Sequence, residues 1–347
     1  MRISGIDIGF GFTKATDGKE FIVFKSIVGE ASDMLFRLDL LENDLTGGFH
    51  ITLDGQNYFV GDLAEQQSNV RLFTLDQEKF VSDFTKLFAL TALGHLADDY
   101  AMINVVSGLP VGFYKDYHQR LAQILTDSHE ITFQGPDESA QLKRIKIGEI
   151  RIIPQPLGSV LNLLMDEKGK ITNMDLAKQK VGVVDIGFRT TDLCIFDRLQ
   201  YVERGSTTTD TGMAKGFSII ARKLKEECGV NVELYRMYNA MEAGSIKIRG
   251  KDINISKLRD KVYANTARTI AADMDRLWSD DWDMDAIVIT GGGSRELAEI
   301  LQPQVTGNVI PVPYKIDTRL NNVKGYLKYG CHLWQTVEPK TIDSNSE

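Results

Sequence analysis

The 347-residue sequence predicts an α/β protein built from two similar halves that face one another. Three observations carry that expectation. The tetrapeptide Asp-Ile-Gly-Phe occurs twice, at 7–10 and at 185–188, about half a chain apart. Each copy ends one apolar strand and opens another. Around the copies, apolar runs of strand length alternate with stretches at helical spacing, the pattern of strand, crossover helix and strand. At this length two domains are expected, each with its own core.

Composition narrows the function. The net charge of −8 argues against a broad surface that binds nucleic acid directly. Cys194, Cys228 and Cys331 are few, odd in number and widely spaced, which fits a reducing compartment and no metal-ligand spacing. Arg2 precedes only a short apolar run, and no apolar stretch has the length of a bilayer span. The expectation is a soluble, cytoplasmic protein without a membrane partner.

Taken in order, the first strand (Ile3, Gly5, Ile6) runs into the turn Asp7 to Lys14, and Phe21–Phe24 reads as a third strand. Residues from about 29 to 78 read as a small insertion. It contains a hairpin, His50 to Leu53 and Tyr58 to Val60, split by an Asp-Gly turn. Phe80 to Leu96 has the spacing of an amphipathic helix. Ile103–Val106 is a buried strand, Tyr114 to Leu125 a helix, and Leu142 to Ile153 an alternating strand stopped by Pro154-Gln155-Pro156. Pro156 suits the first turn of a helix, which Leu157 to Met165 supplies.

The polar stretch Lys168 to Lys180 reads as the passage between domains, before the second strand-turn-strand unit. A strand near Leu199 to Glu203 follows. Helices are expected from Met213 through Leu224, Leu234 to Ala243 and Ile255 to Trp278. Ala286–Ile289 is a buried strand that enters Thr290-Gly291-Gly292-Gly293-Ser294, then a helix to Leu301. Asn321 to Trp334 is a closing helix, and Asp343 to Glu347 read as disordered. The five scattered histidines and Cys194 read as surface or core residues. Asp280-Asp281-Trp282-Asp283 reads as a solvated connector, and Lys143-Arg144-Lys146 as one exposed strand face.

The chemistry gathers at strand ends, where open α/β sheets hold ligands. Gly9, Gly11 and Gly187 let backbone N–H groups approach an anion. Thr13 and Lys14 add a hydroxyl and a charge. Asp7 and Asp185 are placed to hold a hydrated cation through its waters, as magnesium prefers. Gly291, Gly292, Gly293 and Ser294, between strand and helix, offer free N–H groups for an anion or a nucleotide edge. Together these point to one nucleotide gripped between two turns. Gln155 falls between the halves, where a neutral amide could orient an attacking water or simply cap its helix.

These elements, Asp7 to Lys14, Gln155 to Met165, Asp185 to Asp192, Thr290 to Ser294 and Asn321 to Leu333, occur in the order that marks the actin, sugar-kinase and heat-shock-chaperone superfamily, which the chain resembles over nearly its whole length. Within it the chain is most similar to prokaryotic actin-like ATPases of the ParM/StbA plasmid-segregation type. Its length, the compact insertion, Val105 to Pro110 and Asn322 to Tyr326 carry that likeness.

The resemblance implies an actin-like ATPase fold: two mirrored ribonuclease H-like domains around a nucleotide cleft, with small subdomain insertions. It divides the chain into 1–165 plus 321–347, with the insertion at about 29–78, and 166–320, with a helical insertion at about 212–278. It also implies ATP or GTP with Mg2+ as cofactors, and catalytic roles for Gln155, Asp185 and Asp7. Phosphates would be bound by Gly9, Phe10, Gly11, Phe12, Thr13, Lys14, Gly187, Phe188, Arg189 and Thr190. Adenosine would be lined by Gly291 to Ser294, with Gly212 and Lys215 at its border. Arg189 departs from the small residue usual in the second turn, and either adds a charge to the γ-phosphate or points outward.

The implied function is a nucleotide-dependent filament that moves plasmid DNA through a DNA-bound adaptor protein, with no direct nucleic-acid contact. A small-molecule phosphotransferase and a non-polymerising ATP-dependent chaperone or reactivating factor remain rivals.

Overall fold

The computed structural model describes residues 2–31, 47–135, 139–310 and 317–334. The chain end expected to be disordered lies outside these residues, as does part of 29–78.

β1 (Arg2–Ile8), β2 (Phe12–Thr16) and β3 (Phe21–Lys25) form an antiparallel meander. After β4 (Val28–Glu30), the expected hairpin forms from β5 (Gly48–Leu53) and β6 (Gln56–Gly61). Its Asp54-Gly55 turn has both φ values positive, 50° and 77°, the twist that matches flanking strands. α1 (Asp62–Gln67) and β7 (Arg71–Leu72) follow. α2 (Gln77–Lys79) is capped by Asp76, whose carboxylate accepts from the Lys79 N–H at 2.9 Å. It continues through a π turn at Phe80–Phe84 into α3 (Thr85–Leu96).

Amphipathic spacing was expected for α3, yet Leu87, Phe88, Ala89, Leu90, Thr91, Ala92, Leu93 and Gly94 are all buried. The helix lies between the first sheet and α4, so it has almost no solvent face.

β8 (Ala101–Leu109), α4 (Val111–Leu125), β9 (Asp127–Gln134), β10 (Ala140–Pro154) and α5 (Leu157–Leu164) complete the first half. Its sheet has the order β3-β2-β1-β8-β10-β9-β5-β6-β4-β7. β9 pairs with both β10 and β5 and so joins the hairpin region to the main sheet. Lys143 and Arg144, neighbours on β10, leave by opposite faces. Lys143 donates to the Ala97 carbonyl at 2.7 Å and Arg144 pairs with Asp99 at 2.8 Å, so the basic cluster is not one exposed face.

The second half begins with β11 (Lys180–Ile186), β12 (Thr191–Asp197) and β13 (Gln200–Thr209). α6 (Met213–Cys228), α7 (Met237–Ala243), the hairpin β14 (Ser245–Ile248) and β15 (Lys251–Asn254), and α8 (Ser256–Leu277) follow. β16 (Ala286–Thr290), α9 (Ser294–Leu301) and β17 (Val309–Ile310) lead to α10 (Asn321–Trp334). The sheet order β13-β12-β11-β16-β17 repeats β3-β2-β1-β8-β10, with the same meander and the same parallel pairs. The repeated tetrapeptide thus marks a repeated topology.

Each half has its own apolar cluster, one around Phe88 and Leu93, the other around Ile186, Phe217 and Ile270. A third cluster unites Val106 and Ile153 of the first sheet with Val183 and Val288 of the second, through Leu161 of α5 and Tyr326 of α10. α5 and α10 touch backbone to backbone. A Cβ on Gly325 would lie 1.7 Å from the Gly158 carbonyl oxygen, so this contact tolerates no side chain.

The acidic run is not a solvated connector throughout. Asp281 is buried, its carboxylate taking two bonds from Arg204 at 2.6 and 2.9 Å and one from Lys180 at 2.9 Å. Burial alone would raise this carboxyl; the two cations outweigh it and hold it below the usual range.

Candidate functional site

Both Asp-Ile-Gly-Phe units fold into the same turn. Gly9 N–H donates to the Phe12 carbonyl at 3.1 Å, and Gly187 N–H to the Thr190 carbonyl at 2.8 Å. The turns meet. A Cβ on Gly11 would come within 3.0 Å of the Phe188 Cβ and 2.3 Å of the Tyr238 hydroxyl. Together with the glycine loop they line a cavity of about 500 Å³, a size suited to a small organic ligand.

Asp7 and Asp185, at the ends of β1 and β11, both line this cavity. Asp7 accepts from Lys14 Nζ at 2.9 Å and, through its other oxygen, from Gln155 Nε2 at 3.4 Å. Asp185 accepts from the Asn322 amide at 2.7 Å. Burial pushes the Asp185 carboxyl up to about 6; the Asn322 bond works against that, and the charge on Asp7 adds to it. Behind it, Asp192 is pushed up to about 7 by burial, opposed by the Thr208 hydroxyl and reinforced by Asp185.

Asp192 does further work. Pro110 gives α4 no side-chain cap. Instead the Val111 N–H donates to Asp192 Oδ1 at 3.1 Å, and the Gly112 N–H to Thr208 Oγ1 at 2.7 Å. The start of a first-half helix is therefore capped by strands of the second half.

The glycine loop crosses Asp185. Gly291 has φ 89°, and a Cβ there would sit 2.2 Å from Asp185 Oδ1, so glycine is required on both counts. Ser294 Oγ closes the loop by donating to the Gly291 carbonyl at 2.7 Å. Ser159 of α5 bonds both the Thr290 hydroxyl and Asn322 Oδ1 at 2.7 Å, and Asn321 reaches Thr290 at 3.2 Å. Tyr326 donates to the Gln155 carbonyl at 3.2 Å. The two connecting helices are thus wired to Asp185 and Gln155.

Of the expected residues, Asp7, Gly9 to Phe12, Lys14, Gln155, Asp185, Gly187 to Thr190 and Gly291 to Gly293 line the cavity. Thr13 instead bonds Ser26 Oγ at 3.0 Å, and Ser26 braces the Gly9 carbonyl at 2.6 Å. Gly212 packs against the Arg189 backbone at the foot of α6, whose first N–H groups donate to Gly187 and Phe188. Lys215 is exposed, and neither it nor Gly212 is among the lining residues.

Sequence reasoning missed Tyr238, Arg319, Asp317 and Asn322, which also line the cavity. Arg319 forks onto Asp317 at 2.7 and 2.9 Å and lies 5.0 Å from the centre of the Phe12 ring. Tyr238 packs on Phe12 and Phe188, and its buried hydroxyl has no partner among the described residues. Asn322 lies in a stretch singled out as a connecting helix but not as part of the site; Tyr238, Arg319 and Asp317 belong to none of the motifs read from the sequence.

Two mirrored halves of identical strand order, turned toward one cleft and joined by two crossing helices, define an actin-type fold. Residues 5–158 match the family of actin-like protein N-terminal domains, and residues 183–303 match the C-terminal domain of archaeal MreB-like actin homologues. Both halves of the chain thus match domains of actin-like proteins.

Solved structures agree on the fold. A 15-stranded ParM filament from Clostridium botulinum is similar at a TM-score of 0.79 and 23% identity, covering 95% of this chain and 98% of that one. A non-polymerisable quadruple mutant of pCBH ParM gives 0.77 and 24%, over 95% and 98%. The archaeal actin homologue Ta0583 in complex with ADP gives 0.74 and 19%, over 94% and 98%. No curated protein matches the chain in sequence. Among the described residues, no helix is long and apolar enough to cross a membrane.

Proposed function

We propose that the chain is a filament-forming actin-like ATPase of the ParM type, which assembles with ATP, hydrolyses it to ADP and phosphate, and moves plasmid DNA in the cytoplasm through a DNA-bound adaptor. The observation that carries this reading is the convergence of two identical glycine turns and a glycine loop on one cavity. The C. botulinum ParM was solved as a filament and the archaeal homologue with ADP. The domain division at 1–165 plus 321–347 and 166–320 belongs to the same proposal.

The cavity fits a magnesium nucleotide chemically. Glycines stand where side chains would fill the turns, and two enclosed donors, Tyr238 Oη and Arg189 Nη1, lack acceptors among the described residues. Asp7 and Asp185 would hold the waters of Mg2+, and Lys14 would exchange its bond to Asp7 for a phosphate oxygen. Bound magnesium would spread the charge of the phosphates. Gln155, fixed by its own backbone bonds to Leu109 and Tyr326, would orient the attacking water. Asp185 would help polarise that water.

Gripping one nucleotide from both halves couples phosphate occupancy to the angle between them, a hinge switch. That angle would set the fit between subunits stacked head to tail, a contact that does not close and so makes filaments. The test is pelleting and light scattering with magnesium and ATP, GTP or ADP. Scattering that rises with triphosphate and later decays supports the proposal. Absence of pelleting at every reachable concentration removes the filament, and turnover that requires a small hydroxylated acceptor reassigns the chain to phosphotransfer.

A further inference from the structure

Arg189, like Phe188 beside it in the second turn, reaches the first half with its side chain. Its guanidinium carbon lies 5.2 Å from the centre of the Phe10 ring and 5.4 Å from that of Phe113, the first on the opposite turn and the second in the first turn of α4. Nη1 is enclosed and has no acceptor among the described residues. Nη2 stands 3.8 Å from the exposed carboxylate of Asp210, a loose pair that water screens. Aromatic faces attract the cation but do not satisfy its N–H donors. A charged donor enclosed without an acceptor is costly, and Arg189 lines the cavity beside Gly9 and Thr190.

A series of contacts runs from Arg189, braced by Phe113, toward the glycine loop. Phe188 then touches Gly11 and Tyr238, Tyr238 packs on Phe12, and Arg319 spans Phe12 and Gly292 at the glycine loop. A nucleotide with its base toward the glycine loop brings its last phosphate to the Arg189 end.

We propose that Arg189 reads the terminal phosphate, and that this side chain sets the preference of the site for a nucleoside triphosphate over a diphosphate. The inference rests on the nucleotide reading above and deepens it. The ring stack holds the guanidinium plane in advance, so little side-chain freedom remains to be lost on binding. A phosphoryl oxygen supplies the acceptor that Nη1 lacks, in a charge-assisted bond. A diphosphate ends short of it and leaves Nη1 as it stands in the unliganded fold.

The test is calorimetric titration of the full chain, below any assembly concentration, with Mg-ADP and with a magnesium-bound, non-hydrolysable ATP analogue. Arg189→Gln should weaken the triphosphate analogue by about tenfold or more while ADP changes by less than about threefold. Arg189→Lys, which keeps the charge but not the planar fork, should fall between, and it serves if the glutamine variant does not fold. Equal losses for both nucleotides, or no loss for either, would mean a staple between the halves and overturn the proposal. Wild-type protein that binds neither nucleotide would overturn the nucleotide reading itself.

Discussion

Asn322 donates its side-chain amide to Asp185 Oδ2 at 2.7 Å, across 137 residues of sequence. The bond favours the charged carboxylate at a site where burial disfavours it. The same side chain accepts from Ser159 through its oxygen, so the carboxylate, the glycine loop and both connecting helices share one polar network.

Asn322→Ala should therefore destabilise the fold in a pH-dependent way. Removing a donor to the charged form moves the Asp185 carboxyl further above about 6. Above that pH the variant buries a charge with no donor, at a cost of about 2 kcal/mol. Near pH 4 the carboxyl is protonated and the cost shrinks. Denaturant unfolding at pH 8 and pH 5 measures the difference, and a pH-independent loss would deny the coupling.

Asp192→Asn should stabilise the protein at alkaline pH. A carboxyl raised to about 7 in the fold and ordinary when unfolded makes the native state hold the extra proton between those values. Stability then falls as pH rises from about 4 to 7. Asparagine keeps an acceptor for the Val111 N–H and has no charge to bury. The variant should be more stable than wild type to denaturant at pH 8, by on the order of 2 kcal/mol, with the gap closing near pH 4. A wild-type advantage at pH 8 would contradict this.

Gln155→Ala should slow ATP turnover by about a hundredfold while nucleotide-dependent assembly persists. Phosphate release and pelleting, read from the same samples, separate the two. Unchanged turnover would remove Gln155 from the mechanism.

Gly325→Val should break the crossing of α5 and α10. Its Cβ would meet the Gly158 carbonyl oxygen at 1.7 Å, backbone that cannot swing aside as a side chain does. A loss on the order of 3 kcal/mol is expected in chemical denaturation. Near-wild-type stability would mean that the helices slide apart at little cost.

What the sequence exposes is local chemistry. The two turns and the glycine loop are legible because strand, turn and glycine requirements lie within a few residues. β9 escaped because Asp127–Gln134 is polar at its start and is made a strand by partners on β5 and β10. The hairpin β14–β15 left a smaller signal in Arg249-Gly250, both at positive φ. Asp281 reads as one acid in an acidic run until Lys180 and Arg204 converge on it. Asn322 and Tyr238 enter the site from distant helices; the sequence marks the helix of Asn322 but not its place in the site.

The last described helix, α10, also bears on the order in which the site is completed along the chain. A chain emerging from the ribosome carries both Asp-Ile-Gly-Phe turns long before it carries Asn322, Tyr326 and Lys328, which complete the Asp185 network and cap the end of α5. Until those residues are made, the second turn's buried carboxylate lacks its Asn322 donor and the end of α5 its lysine.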